Sequence, residues 1–88
     1  MYYVYVLKSQ KYKQLKIYIG ITADLKSRVA QHNNKETIST RFGIPWKLVY
    51  YEAFLHKNDA IRREKRLKVG TSAIGFLKRR IKQSLDSN

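Results

Sequence analysis

The sequence predicts an α+β fold, a small three-stranded antiparallel sheet flanked by helices in the order β-β-α-β-α-α. The first observation is three short runs rich in β-branched and aromatic residues, YYVYVLK, KIYIGI and WKLVYYEAFL. The second is three segments with helical apolar spacing, one before the last strand run and two after it. With 88 residues and 43% hydrophobic content, we expect one domain, 1–88, with a thin core.

The two N-terminal strands are predicted to pair as an antiparallel hairpin. Alternation over residues 2–8 makes both faces of the first strand apolar, which favours the middle of the sheet. The second strand is expected to end at Gly20, and Thr22 is expected to cap a helix that runs to about His32. The two faces of the first strand carry Tyr3, Tyr5 and Leu7 on one side and Tyr2, Val4 and Val6 on the other.

The middle of the chain is predicted to hold a loop and the third strand. Residues 33–43 are polar and are expected to be irregular, and Pro45 closes this loop. The strand that follows is expected to supply core residues, namely Trp46, Leu48, Tyr50 and Tyr51.

Two helices are predicted after the third strand. Asn58 or Asp59 is expected to cap the first of them, and Gly70 is expected to lie just past its end. The last helix, over 72–85, repeats apolar residues at helical spacing and is expected to dock on the sheet. That stripe consists of Ile74, Leu77, Ile81 and Leu85.

The charge of the chain points to a polyanionic partner. Nineteen Lys and Arg against six Asp and Glu give a formal net charge of +13, which favours nucleic acid over an acidic membrane surface, because the apolar residues are needed for the core. The short apolar run at the N-terminus predicts a strand rather than a signal peptide, and there is no run long enough to span a membrane. We therefore expect a soluble, cytoplasmic protein, and the absence of Cys excludes disulfides and thiolate metal sites.

Four side chains are predicted to meet where the hairpin joins the first helix. Arg28 and His32 lie one turn apart at the border of the buried stripe of that helix, and Tyr5 and Tyr18 share the adjacent strand face. Tyr can act as a base or donate to phosphate, and Arg can neutralise charge on phosphoryl oxygens. The alternative is structural: Arg28 extends along the core edge and His32 is a satisfied, half-buried histidine.

Glu64 is the acid whose position needs an explanation. It falls in the middle of the apolar arc of its helix, and a carboxylate aimed at a core requires a basic partner or a metal ion. An ion pair with Arg28 and a ligand role for Mg²⁺ or Mn²⁺ both remain open at this point. Glu52 is the only other acid that could face inward. The opposite side of the same helix is basic, with Arg62, Arg63 and Arg66.

Three motifs resemble the GIY-YIG nuclease domain, over Tyr3 to about Lys68. Tyr18-Ile19-Gly20 matches the second half of the signature, and Tyr3-Val4-Tyr5 resembles the first. GITADLKSRVAQHN resembles the family's catalytic helix and AIRREKRLK its metal-binding helix. The chain is most similar to the small single-domain branch of the family, which is related to the N-terminal nuclease domain of an excinuclease.

The resemblance implies a role for each candidate residue. Catalytic roles would fall to Tyr5, Tyr18, Arg28 and His32, and Glu64 would hold one divalent ion. Two positions depart from the family pattern: Tyr3 replaces the Gly of the first motif, and the only Asn downstream of Glu64 is Asn88.

The sequence thus predicts a divalent-metal-dependent endonuclease that hydrolyses DNA phosphodiesters, with a role in repair or recombination and no small-molecule cofactor. The alternatives are a non-catalytic nucleic-acid-binding module, RNA as the substrate, and an interaction protein whose charge serves solubility. The five site residues are expected to line one solvent-open cleft. The residues expected to contact nucleic acid are Lys26, Lys35, Arg41, Arg62, Arg63 and Arg66.

Overall fold

A computed structural model of the chain describes residues 1–70 and 72–87. Within that part, the predicted order β-β-α-β-α-α is confirmed, with the last helix divided into two pieces. None of the described helices is long and apolar enough to cross a bilayer. The strands are β1 (Tyr2–Ser9), β2 (Ile17–Thr22) and β3 (Trp46–Phe54), and the helices are α1 (Leu25–Asn33), a 3₁₀ helix (Ile38–Gly43), α2 (Lys57–Lys68), α3 (Ser72–Arg80) and α4 (Lys82–Asp86).

The sheet is antiparallel throughout, with strand order β2-β1-β3. Strand β1 therefore occupies the centre, as its two apolar faces predict. Its Tyr5 lies opposite Gly20 of β2 on one side and opposite Tyr51 of β3 on the other. An irregularity in the pairing with β3 lies between Val6 and Leu7.

Alternation along β1 divides the interior into two cores, one on each face of the sheet. Val4 and Val6 point to the face that α2, α3 and α4 cover, whereas Tyr5 and Leu7 point to the face that α1 covers. The first core also contains Ile19, Ala60, Leu67, Leu77, Ile81 and Leu85; the second contains Trp46, with Tyr18, Leu25, Val29, Ile44 and Leu48 packed against it.

The junction between β2 and α1 differs from the prediction. Strand β2 does not end at Gly20, because the pairing with β1 continues as far as Tyr3 opposite Thr22. Thr22 is consequently the last strand residue, and the N-cap of α1 is Asp24, whose carboxylate accepts a hydrogen bond from the backbone N–H of Ser27 at 3.1 Å.

Two further predictions about the middle of the chain were wrong. The segment predicted to be an irregular loop contains the 3₁₀ helix. Tyr51 is not a core residue but is exposed, because neighbours along a strand point to opposite faces and Tyr50 takes the inward position beneath the C-terminal helices.

The C-terminal helices follow the predicted apolar stripe with different ends. The N-cap of α2 is His56, so Asn58 and Asp59 fall in its first turn rather than capping it. Gly70 has a φ of 68° just after α2, as expected of a residue that ends a helix. A break at Ile81 separates α3 from α4, yet Leu77, Ile81 and Leu85 all remain buried.

Candidate active site

The centre of the site is a hydrogen bond between two fully buried side chains. Tyr5 is only 1% exposed, and its hydroxyl oxygen lies 2.9 Å from Nε2 of His32. The Tyr5 ring crosses the backbone of Gly20, where a Cβ would collide with the phenol oxygen. Glycine is therefore needed here because of the close approach of the ring, and not because a turn begins.

His32 is buried completely, and both ring nitrogens have partners. Nδ1 lies 2.8 Å from Oγ1 of Thr40, which itself donates to the carbonyl of Thr37 at 3.4 Å. Since the single hydroxyl proton of Thr40 is used in that bond, Thr40 accepts from Nδ1–H, and Nε2 accepts from Tyr5. Burial, and secondarily the charge of Arg28, lower the pKa of His32, so the ring is neutral at pH 7.

Thr40 is held in place by contacts that no sequence pattern revealed. Nε1 of Trp46 donates to the Thr40 carbonyl at 2.7 Å. The Asn33 side chain accepts from the backbone N–H of Trp46 at 2.7 Å and donates to its carbonyl at 3.0 Å. These bonds join the end of α1 and the 3₁₀ helix to β3, and so fix the depth of His32. Thr40 lies in a polar segment without periodicity, so its role could not be predicted.

Tyr18 lies above this buried pair on the solvent side. Its ring is half-buried, with its centroid 4.9 Å from that of His32 and 6.3 Å from that of Tyr5. Among the described residues, the Tyr18 hydroxyl has no hydrogen-bond partner. It is therefore the phenol of the site that can bind a water molecule or a phosphate oxygen.

Arg28 supplies the positive charge of the site. It is half-buried, and its Nη1 donates to Oε1 of Gln31 at 2.9 Å. Desolvation raises the pKa of Tyr5; the guanidinium of Arg28 opposes this effect without overcoming it. Tyr5 therefore keeps its proton, which it donates to His32. The local positive field does not produce the lowered phenol pKa that a base role for Tyr5 would require.

Glu64 reaches the site from α2. Its Oε2 lies 3.2 Å from Nζ of Lys68, and that ammonium group lies 5.8 Å from the ring centroid of Tyr18. The charge of Glu64 also contributes to the raised pKa of Tyr5. The ionic partner of Glu64 is thus Lys68, and the alternative of an ion pair with Arg28 was wrong. Lys68 was missed, although its i,i+4 spacing from Glu64 was a readable signal.

The five predicted residues are therefore neighbours, but they do not form the open cleft that was expected. Tyr5 and His32 are buried beneath Tyr18, because α1 and the 3₁₀ helix close over them. Tyr18, Arg28 and Glu64 are partly exposed. Only these three side chains of the set can meet a substrate directly.

Glu52, the other candidate inward acid, lies on β3 and has strong partners. Arg63 donates to it at 2.9, 3.1 and 2.8 Å, and the Tyr50 hydroxyl donates at 2.7 Å. Burial opposes its ionisation, but these hydrogen bonds and the charges of Arg63 and Arg80 lower the pKa of Glu52 overall. Arg63, predicted to contact nucleic acid, is thus bound bidentately within the protein.

The other residues predicted to contact nucleic acid are exposed but dispersed. Arg41 donates from Nε to the carbonyl of Lys35 at 2.9 Å, beside the end of α1. Arg62 lies 3.3 Å from Asp59 in a surface ion pair on α2. Lys26 lies on α1 and Arg66 on α2, so the structure does not bring these side chains together in one patch. Asn88, the counterpart considered for the family's downstream Asn, lies outside the described residues.

Comparison with known proteins identifies a family. The chain matches the GIY-YIG catalytic domain over residues 1–76. It is 38% identical to a UPF0213 protein of Staphylococcus haemolyticus and 34% identical to one of Staphylococcus saprophyticus, each over 76% of this chain and 79% of the relative. A UPF0213 protein of Streptococcus pyogenes serotype M5 is 41% identical over 70% of this chain and 65% of the relative. No solved structure matches the chain.

Proposed function

The chain belongs to the GIY-YIG catalytic domain family, a nuclease family, and we propose that it is a divalent-metal-dependent endonuclease that hydrolyses DNA phosphodiester bonds. The observation that carries the proposal is the buried Tyr5–His32 hydrogen bond beneath an unpartnered Tyr18 hydroxyl. Burying a polar histidine costs free energy unless every nitrogen is satisfied, and a module that only bound nucleic acid could use apolar side chains at these positions.

Tyr18 is the proposed acceptor of the proton from the attacking water. Tyr5 cannot fill this role, because its pKa is raised, its proton is donated to His32, and it is out of contact with solvent. The Tyr5–His32 pair instead positions the Tyr18 ring, which packs against both. The ammonium of Lys68 near the Tyr18 ring favours negative charge on the phenol oxygen as the proton is transferred.

Arg28 is the proposed stabiliser of the transition state. Its one described side-chain partner, Gln31, is neutral, so its charge is not cancelled by a carboxylate within the described part of the chain. A half-buried guanidinium with an uncancelled charge can neutralise the charge that develops on the phosphoryl oxygens.

Glu64 suits a hard divalent cation. Its carboxylate is partly accessible and already binds one cation, the Lys68 ammonium. Among residues 1–70 and 72–87 there is no cluster of three His, Cys, Asp or Glu, so Glu64 would be the carboxylate ligand and water would fill the remaining positions. Mg²⁺ or Mn²⁺ bound there would polarise the phosphate and stabilise the leaving oxygen.

Plasmid nicking and oligonucleotide cleavage with Mg²⁺ or Mn²⁺ test the proposal. We expect Tyr18→Phe, which removes only the hydroxyl, to lower cleavage by about 10²-fold or more, and Tyr5→Phe to lower it less while reducing thermal stability. Tyr12→Phe is the matched control, since this tyrosine lies in the β1–β2 loop. Absence of metal-dependent cleavage by the unmodified protein, on DNA and on RNA, would refute the enzyme assignment.

A nucleic-acid-binding module without turnover is the second candidate, supported by the +13 charge, which both functions share. In either case binding should weaken steeply as salt rises, since each neutralised phosphate releases counterions. Fluorescence anisotropy of labelled DNA and RNA at several ionic strengths measures the slope and shows which polymer is preferred. A flat profile would contradict both candidates.

A further inference from the structure

A second feature with binding chemistry lies in a cleft of about 850 Å³ between α2 and α3. None of its lining residues belongs to the Tyr5–His32 cluster or contacts Tyr18 in the described structure. The lining includes three arginines and an apolar floor: Arg63, Arg66, Arg80, Val69, Phe76 and Leu77.

The cleft and the candidate active site lie towards opposite edges of the sheet. Arg63, in the wall of the cleft, binds Glu52 on β3, whereas Lys68 reaches Tyr18 on β2. Strand β1 separates these two strands, which places them about 10 Å apart. A ligand in the cleft would therefore occupy a surface different from the one around Tyr18.

An exposed aromatic ring forms part of the cleft. Phe76 is 61% exposed, although a Phe gains free energy by burial. The guanidinium of Arg79 lies 4.7 Å from the ring centroid, and the ring remains largely accessible with that cation beside it. An accessible ring next to guanidinium groups is the combination on which bases of single-stranded nucleic acids stack.

The charge of the cleft suits phosphate. Three of its lining side chains are arginines, and the adjacent carboxylate, Glu52, offsets only one of them. The charge of Arg80 also reaches Glu52, so Arg80 and Arg63 flank the same carboxylate while Arg66 adds a third cation. Guanidinium groups match the geometry of phosphate oxygens better than ammonium groups do.

We propose that the cleft between α2 and α3 binds a single-stranded segment of nucleic acid, with an unpaired base stacked on Phe76 and the flanking phosphates bound by Arg66 and Arg80. A duplex is excluded from this mode because its bases are already stacked on one another. The proposal shares with the proposed function only the class of ligand, and it does not depend on cleavage.

Binding of a labelled single-stranded oligonucleotide and of a duplex of the same length, in EDTA so that cleavage cannot occur, tests the cleft. We expect Phe76→Leu, which keeps apolar volume but removes the ring, to weaken single-strand binding about tenfold and to leave duplex binding unchanged. Tyr12→Leu is the control, because Tyr12 is also a surface aromatic beside a cation, Lys11, at 5.6 Å from the ring. It should leave single-strand binding unchanged.

A Phe76→Trp variant gives a direct spectroscopic signature. The native Trp46 is buried, so the additional emission reports on the cleft, and stacking of a base should quench it when single-stranded DNA is added. Unaltered single-strand affinity of Phe76→Leu, together with unquenched emission of Phe76→Trp, would overturn the proposal. Quenching by polyglutamate but not by the oligonucleotide would also overturn it, in favour of an acidic protein partner. Cleavage by the unmodified protein is measured separately, so failure of either proposal leaves the other standing.

Discussion

The chain contains two partly buried carboxylates that differ in how they are held. Glu52 has a side chain 20% exposed and accepts four hydrogen bonds, three from Arg63 and one from Tyr50. Glu64 has a side chain 17% exposed and a single ionic contact, with Nζ of Lys68 at 3.2 Å. Lys68 is itself half-exposed. Equal burial therefore accompanies unequal satisfaction of the two charges.

This difference separates a structural carboxylate from one available to a ligand. The lone pairs of Glu52 are occupied by a planar guanidinium and a phenol, and these bonds join β3 to α2. Glu64 retains most of its lone pairs beside Tyr18, and a flexible ammonium group can leave it without disrupting a buried hydrogen-bond network. Burial alone does not identify the functional acid, whereas the number and rigidity of its partners do.

The largest expected effect is on cleavage by Glu64→Gln. This change preserves side-chain size and removes the charge that would hold a divalent ion, so cleavage should fall by several orders of magnitude. Thermal melting should change little, since the ion pair that this substitution breaks is partly exposed. Nicking assays and melting curves of the same preparation measure both. A variant that cleaves normally would show that Glu64 is not the ligand.

The reverse result is expected for Glu52→Gln. Removing this charge leaves Arg63 partly buried without its counter-ion, which should cost about 2 kcal/mol of folding free energy, roughly a 30-fold change in the folding equilibrium. Cleavage measured well below the melting temperature should be retained. Urea denaturation compared with the unmodified protein gives the difference. If Glu52→Gln is as stable as the parent, the two carboxylates are not held differently.

Lys68→Met sharpens the comparison at the level of metal affinity. If the ammonium competes with a divalent ion for Glu64, its removal should tighten Mn²⁺ binding about threefold to fivefold, the range expected of a partly exposed ion pair. Lys65→Met is the matched control, because it removes the same charge from an exposed position of α2. Isothermal titration with Mn²⁺ compares them, and equal changes in both variants would reduce the effect to net charge.

The smallest expected effect is a pH dependence confined to Glu52. Because its pKa is lowered in the folded state, the stability it contributes is fully present above the unfolded pKa, about 4.5, and is lost as pH falls through the folded value. The stability difference between the parent and Glu52→Gln should therefore shrink between pH 5 and about pH 3. Urea midpoints at a series of pH values measure it. A difference that stays constant over this range would argue against the ion pair.

Much of the fold followed from short-range pattern. The alternation of β1 placed Tyr5 and Leu7 on one face and Val4 and Val6 on the other, and the two cores are divided in this way. The stripe through Leu77 also held, although the helix breaks at Ile81. The end of β2 and the caps of α1 and α2 were predicted wrongly, because each depends on how far the neighbouring strand or helix continues to supply hydrogen bonds.

For the site, the sequence by itself determined which residues share a face, because periods of 2.0 and 3.6 residues fix the direction of each side chain along its own strand or helix. It also determined the charge that favours a polyanion. Only the tertiary structure decided depth and partners: Thr40 for His32, Lys68 rather than Arg28 for Glu64, and Arg63 for Glu52. The physical reason is that side-chain direction is a local property of the backbone, whereas a contact depends on how separate elements dock, and no local period carries that information.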